Sequence, residues 1–78
     1  MKKEEIIKKV DEVLINQFGT DRFNAKADLI DDIGCDSIDC VEIIIELEKV
    51  FGITIKDADA EKCETVQDIY DLIKNTLK

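Results

Sequence analysis

The stretch IGCDSIDCVEIIIELE, residues 33–48, contains the only serine of the chain and opens a segment that is apolar on more than one helix face. Asp36 is a good N-cap residue, and Asp39 three residues later completes a capping-box pattern. Gly52 is a stop signal, so a helix is predicted from Asp36 to Phe51. At about 100° per residue, one wide stripe of this helix is predicted to face the core: Cys40, Ile43, Ile44, Leu47, Val50 and Phe51.

A second apolar strip lies outside that stripe, on the same side of the helix as Ser37. It consists of Ile38, Val41 and Ile45, and beside it runs a face of acidic residues that we expect to be solvated: Asp39, Glu42 and Glu46. Grouped apolar residues need a cover. Either other parts of the bundle bury the strip, or it docks proteins that have an apolar pocket and a basic rim.

The rest of the chain adds three predicted helices. Residues 4–18 carry apolar side chains at helical spacing, and Gly19 can cap them: Ile6, Ile7, Val10, Val13, Leu14 and Phe18. Residues 57–63 form a brief helix, and Thr65 opens the last helix with a capping box whose inward residues are Val66, Ile69, Tyr70, Ile73 and Leu77.

Two connections complete the predicted architecture. Residues 20–35 show no period and predict a long structured loop, which a tight turn at Gly34 ends and apolar side chains anchor: Phe23, Leu29, Ile30 and Ile33. Residues 53–55 are short and β-branched, and predict an extended connection. We therefore expect an all-α fold: one domain over residues 1–78, a small four-helix bundle with a short third helix and a long loop between helices one and two.

Charge is concentrated in one segment. The chain has 11 basic and 19 acidic residues, a net charge of −8, and residues 27–48 contain eight acids without a lysine or arginine. Such a surface disfavours nucleic acid and favours basic protein partners, although a merely solvated acidic face is an alternative. No apolar run reaches the ~20 residues of a membrane span and no signal-peptide core follows Met1, so a cytoplasmic protein without membrane insertion is expected. A monomer is expected as well.

The cysteines do not predict a metal site. The chain has three cysteines, Cys35, Cys40 and Cys63, and an odd number cannot all pair within one chain. They form no CxxC motif, and the chain has no histidine that could complete a zinc site, so reduced thiols are expected. Residues 57–61 have an EF-hand-like alternation of acids, but Lys62 stands at the position where that loop needs glycine.

The sequence also argues against catalysis at Ser37. A serine hydroxyl needs a base to become a nucleophile, and the chain has no histidine and no GxSxG motif. No enzymatic activity is expected. Ser37 is either an ordinary first-turn residue or an acceptor that another enzyme modifies.

Residues 32–42, DIGCDSIDCVE, resemble the D-L-G-x-D-S-L-D-x-V-E signature of acyl carrier proteins. LEKVFGITI at 47–55 and DADAEKCETVQDI at 57–69 are similar to further parts of that family. The resemblance implies that Ser37 carries 4′-phosphopantetheine, installed from coenzyme A by a phosphopantetheinyl transferase, and that the arm holds acyl groups as thioesters. It implies that the transferase and acyl-processing enzymes dock here, with basic patches that meet Asp36, Asp39, Glu42 and Glu48. The apolar contact positions of that docking surface would be Ile38, Val41 and Ile45. It also implies an acyl cleft lined by Ile55, Ala60 and Cys63.

Some positions depart from the family pattern. Ile38 replaces a leucine, Lys49 stands where an acid is frequent, and Lys56 stands where proline is frequent. These departures leave the pathway open. Fatty acid biosynthesis is the expected role; the alternatives are a specialised acyl or polyketide pathway, or an acidic helical binding module without a prosthetic group.

Overall fold

The chain folds into four helices in the computed structural model, which describes residues 2–19 and 24–77. The helices are α1 (Lys3–Phe18), α2 (Ser37–Phe51), α3 (Asp57–Glu61) and α4 (Val66–Thr76). Helix α1 packs against both α2 and α4, and the short α3 packs against α4. The predicted all-α bundle is confirmed, as are the short third helix and the long first loop.

Helix α1 buries one apolar stripe, as its sequence period predicts. Its buried residues are Ile6, Val10, Val13 and Leu14. The helix ends at Gly19, which has a φ of 68° and donates its N–H to the carbonyl of Ile15. A left-handed residue at this position satisfies a carbonyl that the last turn would leave free, and glycine adopts it without steric cost.

Helices α2 and α4 begin with the same device. The Asp36 carboxylate accepts a hydrogen bond from the Asp39 N–H at 2.8 Å, and the Thr65 hydroxyl accepts one from the Asp68 N–H at 3.2 Å. In each helix the acid of the first turn also accepts from the N-cap N–H, which completes the predicted capping boxes. Two of the free N–H groups at each helix start are satisfied in this way.

The loop before α2 is fastened to the start of α4. The N–H of Leu29 donates to the carbonyl of Glu64, the N–H of Val66 donates to that of Ala27, and residues 28 and 65 form an isolated bridge. Asp28 also accepts the N–H groups of Ile30 and Asp31, which folds the acidic part of the loop on itself. This loop therefore sets the position at which α2 begins.

The core lies where α1, α2 and α4 meet, and the loop and residues 53–55 close it. Its fully buried side chains are Val10, Leu14, Leu47, Val66 and Ile73. Leu29 is buried and Ile33 packs partly against the core, as predicted. Phe23, the other predicted anchor besides Ile30, lies outside the described residues.

Three expectations about the fold were wrong. Ile30 is 69% exposed, because the Asp28 turn directs that residue away from the bundle. Val50 is 41% exposed at the edge of the α2 stripe, where it lines an open groove between α1 and α2. Helix α3 ends at Glu61 rather than at residue 63, and Lys62 and Cys63 continue as a turn toward α4.

Candidate functional site

Ser37 is the first residue of α2, directly after the N-cap Asp36. Its side chain lies outside the described part of the structure. Its neighbours are described: Asp36 is exposed, and Ile38 and Val41 are 68% and 59% exposed. The only serine of the chain therefore lies at a helix start whose described surroundings are open to solvent.

The second apolar strip of α2 is exposed. Ile45, 44% exposed, continues the surface that begins at Ile38 and Val41. These side chains lie on one side of α2 at helical spacing, away from the buried residues Ile43 and Leu47. Neither the short third helix nor the described part of the loop, residues 24–36, covers them. The interpretation that the bundle buries this strip is therefore wrong.

Part of the acidic face is held by α1. The Gln17 side chain donates from Nε2 to Asp39 Oδ1 at 3.1 Å and to Glu42 Oε2 at 2.6 Å. Asp39 is half-buried there, whereas Glu42 and Glu46 are exposed, and Glu46 forms an ion pair with Lys49 at 3.6 Å. The expectation of a fully solvated acidic face therefore holds for Glu42 and Glu46 but not for Asp39.

Gln17 is the residue of this site that the sequence did not indicate. It is a polar residue near the end of an amphipathic helix, 22 and 25 positions from its two partners. No local pattern relates it to α2, since only the packing of α1 against α2 brings them together. Glutamine donates two N–H bonds without adding charge, so it holds the two carboxylates while leaving their negative charge in place.

Glu48 differs from the other acids of α2. It is half-buried, and its Oε2 accepts the N–H of Ile55 at 3.0 Å. This bond holds the extended connection against the end of α2. Among the residues proposed for docking, Glu48 is therefore the one whose carboxylate links α2 to the backbone of the segment that follows the helix.

The residues proposed for an acyl cleft pack in and around the core. Ile55 is buried, and Ala60 and Cys63 are half-buried against the same apolar cluster. Two cavities lie elsewhere: one of about 270 Å³ between α1 and α2, and one of about 370 Å³ near Thr54 and Leu72. Neither is lined by Ile55, Ala60 or Cys63, which pack against the core instead.

The thiols of the chain lie in unlike surroundings. Cys35 is buried, and Cys40 and Cys63 are half-buried. Burial, with the nearby carboxylates of Asp68 and Asp59, raises the pKa of Cys63 to about 11. At neutral pH that thiol is protonated and a poor nucleophile.

Neither a metal centre nor a membrane span is found in residues 2–19 and 24–77. Within these ranges no three cysteine or acidic side chains come together in a way that could hold a metal ion. None of the described helices combines the length and the apolar content that crossing a bilayer requires.

Comparison with known proteins agrees with the motif around Ser37. Residues 5–73 match the family model described as "Phosphopantetheine attachment site". The chain is 43% identical to the acyl carrier protein of Syntrophobacter fumaroxidans over 70 residues, 86% of each chain. It is 40% identical to that of Thermotoga maritima over 77 residues, 96% of this chain and 95% of the other.

A solved structure has the same fold. A putative acyl carrier protein from Mycobacterium tuberculosis superposes with a TM-score of 0.85 at 32% identity, covering 90% of this chain and 96% of that one. The family model covers most of the chain, and so do the relatives. The chain therefore belongs to the acyl carrier proteins, a family that bears phosphopantetheine and carries acyl groups rather than catalysing reactions.

Proposed function

We propose that Ser37 is the residue to which 4′-phosphopantetheine is attached, and that the loaded chain, one acyl-carrier domain over residues 1–78, carries acyl intermediates in fatty acid biosynthesis. The observation that carries this proposal is the position of Ser37. The only serine of the chain is the first residue of a capped helix, within the family's signature and beside exposed apolar and acidic residues.

The described residues around Ser37 fit such a group. A phosphodiester with a long flexible arm needs open space at its attachment point, and Asp36, Ile38 and Val41 are all exposed there. A phosphate in the first turn of a helix is also near the positive end of the helix dipole. When bound, the arm supplies a thiol that holds acyl groups as thioesters.

The chain itself supplies no base for the attachment. It contains no histidine, and the Asp36 carboxylate next to Ser37 is engaged as the helix cap. A hydroxyl has to lose its proton to attack a phosphate, so the transferase must provide the base. This division agrees with a carrier that is a substrate of enzymes rather than an enzyme.

The outer side of α2 supports docking of enzymes that have basic patches. Ile38, Val41 and Ile45 offer apolar anchors, and the acidic side chain of Glu42 beside them is exposed. Exposed charges mainly accelerate encounter, whereas desolvated apolar contacts mainly slow dissociation. Asp36, Asp39 and Glu48 belong to the proposed surface through their position, although each also accepts a hydrogen bond within the chain.

An acyl chain is proposed to shelter beside Ile55, Ala60 and Cys63. These residues lie where α3 and the extended connection cover the core, and α3 has only five residues and buries none of them. A short, weakly buried element is the easiest part of a fold to displace. We therefore expect α3 to move when an acyl chain enters.

Intact mass tests the attachment site. The purified chain, incubated with coenzyme A and a phosphopantetheinyl transferase, should gain the mass of one phosphopantetheine group. Ser37→Ala should fold normally, because alanine suits a helix and the Asp36 cap remains, and should gain nothing. Thr54→Ala, which removes another exposed hydroxyl, should load like the wild type. A mass gain in Ser37→Ala would contradict the assignment.

Reconstitution tests the pathway. The loaded chain, supplied to the enzymes of fatty acid synthesis, should accept malonyl and elongating acyl groups. Loading without elongation would favour a specialised acyl or polyketide pathway, and a chain that never loads would favour the unmodified binding module. We expect the loaded chain to act as a monomer. The cytoplasm is the expected compartment, since a thiol arm stays reduced there.

A further inference from the structure

Two cysteine sulphur atoms meet at the start of α2. The Sγ atoms of Cys35 and Cys40 lie 2.7 Å apart, and both thiols are free. Cys35 precedes the N-cap Asp36, and Cys40 is the fourth residue of α2. These are the two positions at which a pair of apolar side chains packs as a hydrophobic staple at a helix start. The pair is therefore in contact because of the capped turn.

The distance favours a bond between the sulphur atoms over a shared metal ion. A disulfide has a length of about 2.05 Å, so a small shift of the two side chains would form one. Two thiolates on a tetrahedral zinc ion would stand roughly 3.7 Å apart, from a metal–sulphur distance of about 2.3 Å. Among the described residues, no third side chain completes a metal site with this pair.

We propose that Cys35 and Cys40 form a reversible intramolecular disulfide by exchange with small-molecule disulfides of the glutathione type. The bond would convert the staple at the start of α2 into a covalent ring over residues 35–40. That ring contains Asp36 and Ser37, so it would tie the loop that precedes the helix to its first turn. The proposal does not depend on whether Ser37 carries an arm.

The burial of the two thiols assigns the order of the steps. Cys40 is half-buried, whereas Cys35 is 3% exposed. Cys40, as its thiolate, attacks one sulphur of the small disulfide, forms a mixed disulfide and releases one thiolate. Cys35 then loses its proton, and its sulphur attacks Cys40 and releases the second thiolate. The protein loses two electrons and two protons, and the small disulfide is reduced to two thiols.

The surroundings of Cys35 make it the resolving thiol. Burial raises its pKa, and so do the adjoining Cys40 sulphur and the acids Asp39 and Asp36. A thiol with a raised pKa is a poor first nucleophile in solution. It can still resolve a mixed disulfide on Cys40, because the two sulphur atoms are already in contact.

Cys63 provides the control. It lies between α3 and α4, and its own sulphur contact is the carbonyl of Asp59 at 3.8 Å. Removal of Cys63 leaves the proposed pair intact, whereas removal of Cys35 leaves Cys40 and Cys63, which also make two thiols. The two variants carry the same number of cysteines and differ only in whether the contacting pair is present.

The experiment counts thiols in a Ser37→Ala background, where no prosthetic thiol can interfere. The full chain is equilibrated with mixtures of reduced and oxidised glutathione, quenched in acid, unfolded and alkylated, and its intact mass is measured. With all three cysteines, alkylation should fall from three groups to one as the mixture becomes oxidising. With Cys63→Ala added it should fall from two to none, and peptide mapping should link Cys35 to Cys40.

With Cys35→Ala added, Cys40 should accumulate a glutathione adduct and no internal bond should form. Cys40→Ala should likewise form none, and it serves in place of the buried Cys35→Ala if circular dichroism shows that variant to be unfolded. The proposal is overturned if Cys63→Ala keeps two alkylated thiols or carries persistent glutathione adducts. It is equally overturned if Cys35→Ala closes an internal bond as readily as Cys63→Ala.

Discussion

Helices α2 and α4 are built on the same plan, yet their outer faces differ. Each begins with a complete capping box and buries an apolar stripe against α1. None of the large apolar residues of α4 is exposed: Val66, Ile69, Tyr70 and Ile73 are buried, and Leu72 is half-buried. In α2, by contrast, Ile38, Val41, Ile45 and Val50 are exposed.

The difference separates residues needed for folding from residues available for recognition. An amphipathic helix such as α4 is explained by burial of its apolar face. The inner side of α2 is explained in the same way, through Ile43 and Leu47. Burial does not explain the apolar residues on its outer side, since an apolar side chain that stays in water adds little to the stability of the fold. Grouped exposure of this kind is characteristic of interaction sites.

Truncation of the two sides of α2 should have unequal effects on stability. Leu47 is fully buried and Val41 is 59% exposed. Leu47→Ala should lower the free energy of unfolding by about 2–5 kcal/mol, through lost burial and a residual cavity. Val41→Ala should change it by no more than about 0.5 kcal/mol. Urea titrations followed by circular dichroism measure both, and equal losses would mean that the outer side belongs to the folded core.

The two caps should contribute similarly to stability but differently to loading. Asp36→Ala and Thr65→Ala each remove one side-chain acceptor from a helix start, so each should cost about 0.5–2 kcal/mol. Asp36 also adjoins Ser37, whereas Thr65 lies at the other helix. Only Asp36→Ala should slow loading by the transferase, in assays at a temperature where both variants remain folded. Equal loading rates would show that Asp36 serves the helix alone.

Acid should also weaken the α4 cap, and the resulting loss of stability should be smaller than that caused by the cap substitutions. The N–H groups of Glu64 and Thr65 donate to the Asp68 carboxylate at 2.9 and 3.1 Å, and these bonds hold its pKa below the usual range. A carboxyl whose pKa is lowered by folding adds stability above its unfolded pKa, near 4, and loses it as the pH falls through the folded value. Thermal melts of the wild type and Asp68→Asn should differ more at pH 7 than at pH 3. A difference that does not change with pH would contradict this role.

Local sequence signals predicted the helices well. The caps at Asp36 and Thr65 and the stop at Gly52 depend on neighbours within four residues, so their chemistry can be read from the sequence. Helix geometry located the second apolar strip of α2 for the same reason, but it left open whether the bundle covers that strip. The end of helix α3 was predicted less accurately, since five residues with no buried side chain carry almost no periodic signal.

Contacts that helix periodicity does not encode account for what the sequence did not predict. Gln17 reaches Asp39 and Glu42 only because α1 packs on α2, and Glu48 binds the N–H of Ile55 only because the chain reverses at Gly52. Ile30 is apolar by composition but exposed because Asp28 folds the loop. The proximity of Cys35 and Cys40 could have been derived from the staple positions of the predicted cap.

The most direct test measures binding and stability on the same variants of the outer face. Ile38→Ala and Ile45→Ala should each raise the dissociation rate from the transferase by an amount worth about 1–2 kcal/mol, with little dependence on salt. Their unfolding free energies should stay within about 0.5 kcal/mol of the wild type. Stopped-flow dissociation at two ionic strengths, paired with urea titration, gives both quantities. Wild-type dissociation rates together with a clear loss of stability would contradict the assignment of this face to recognition.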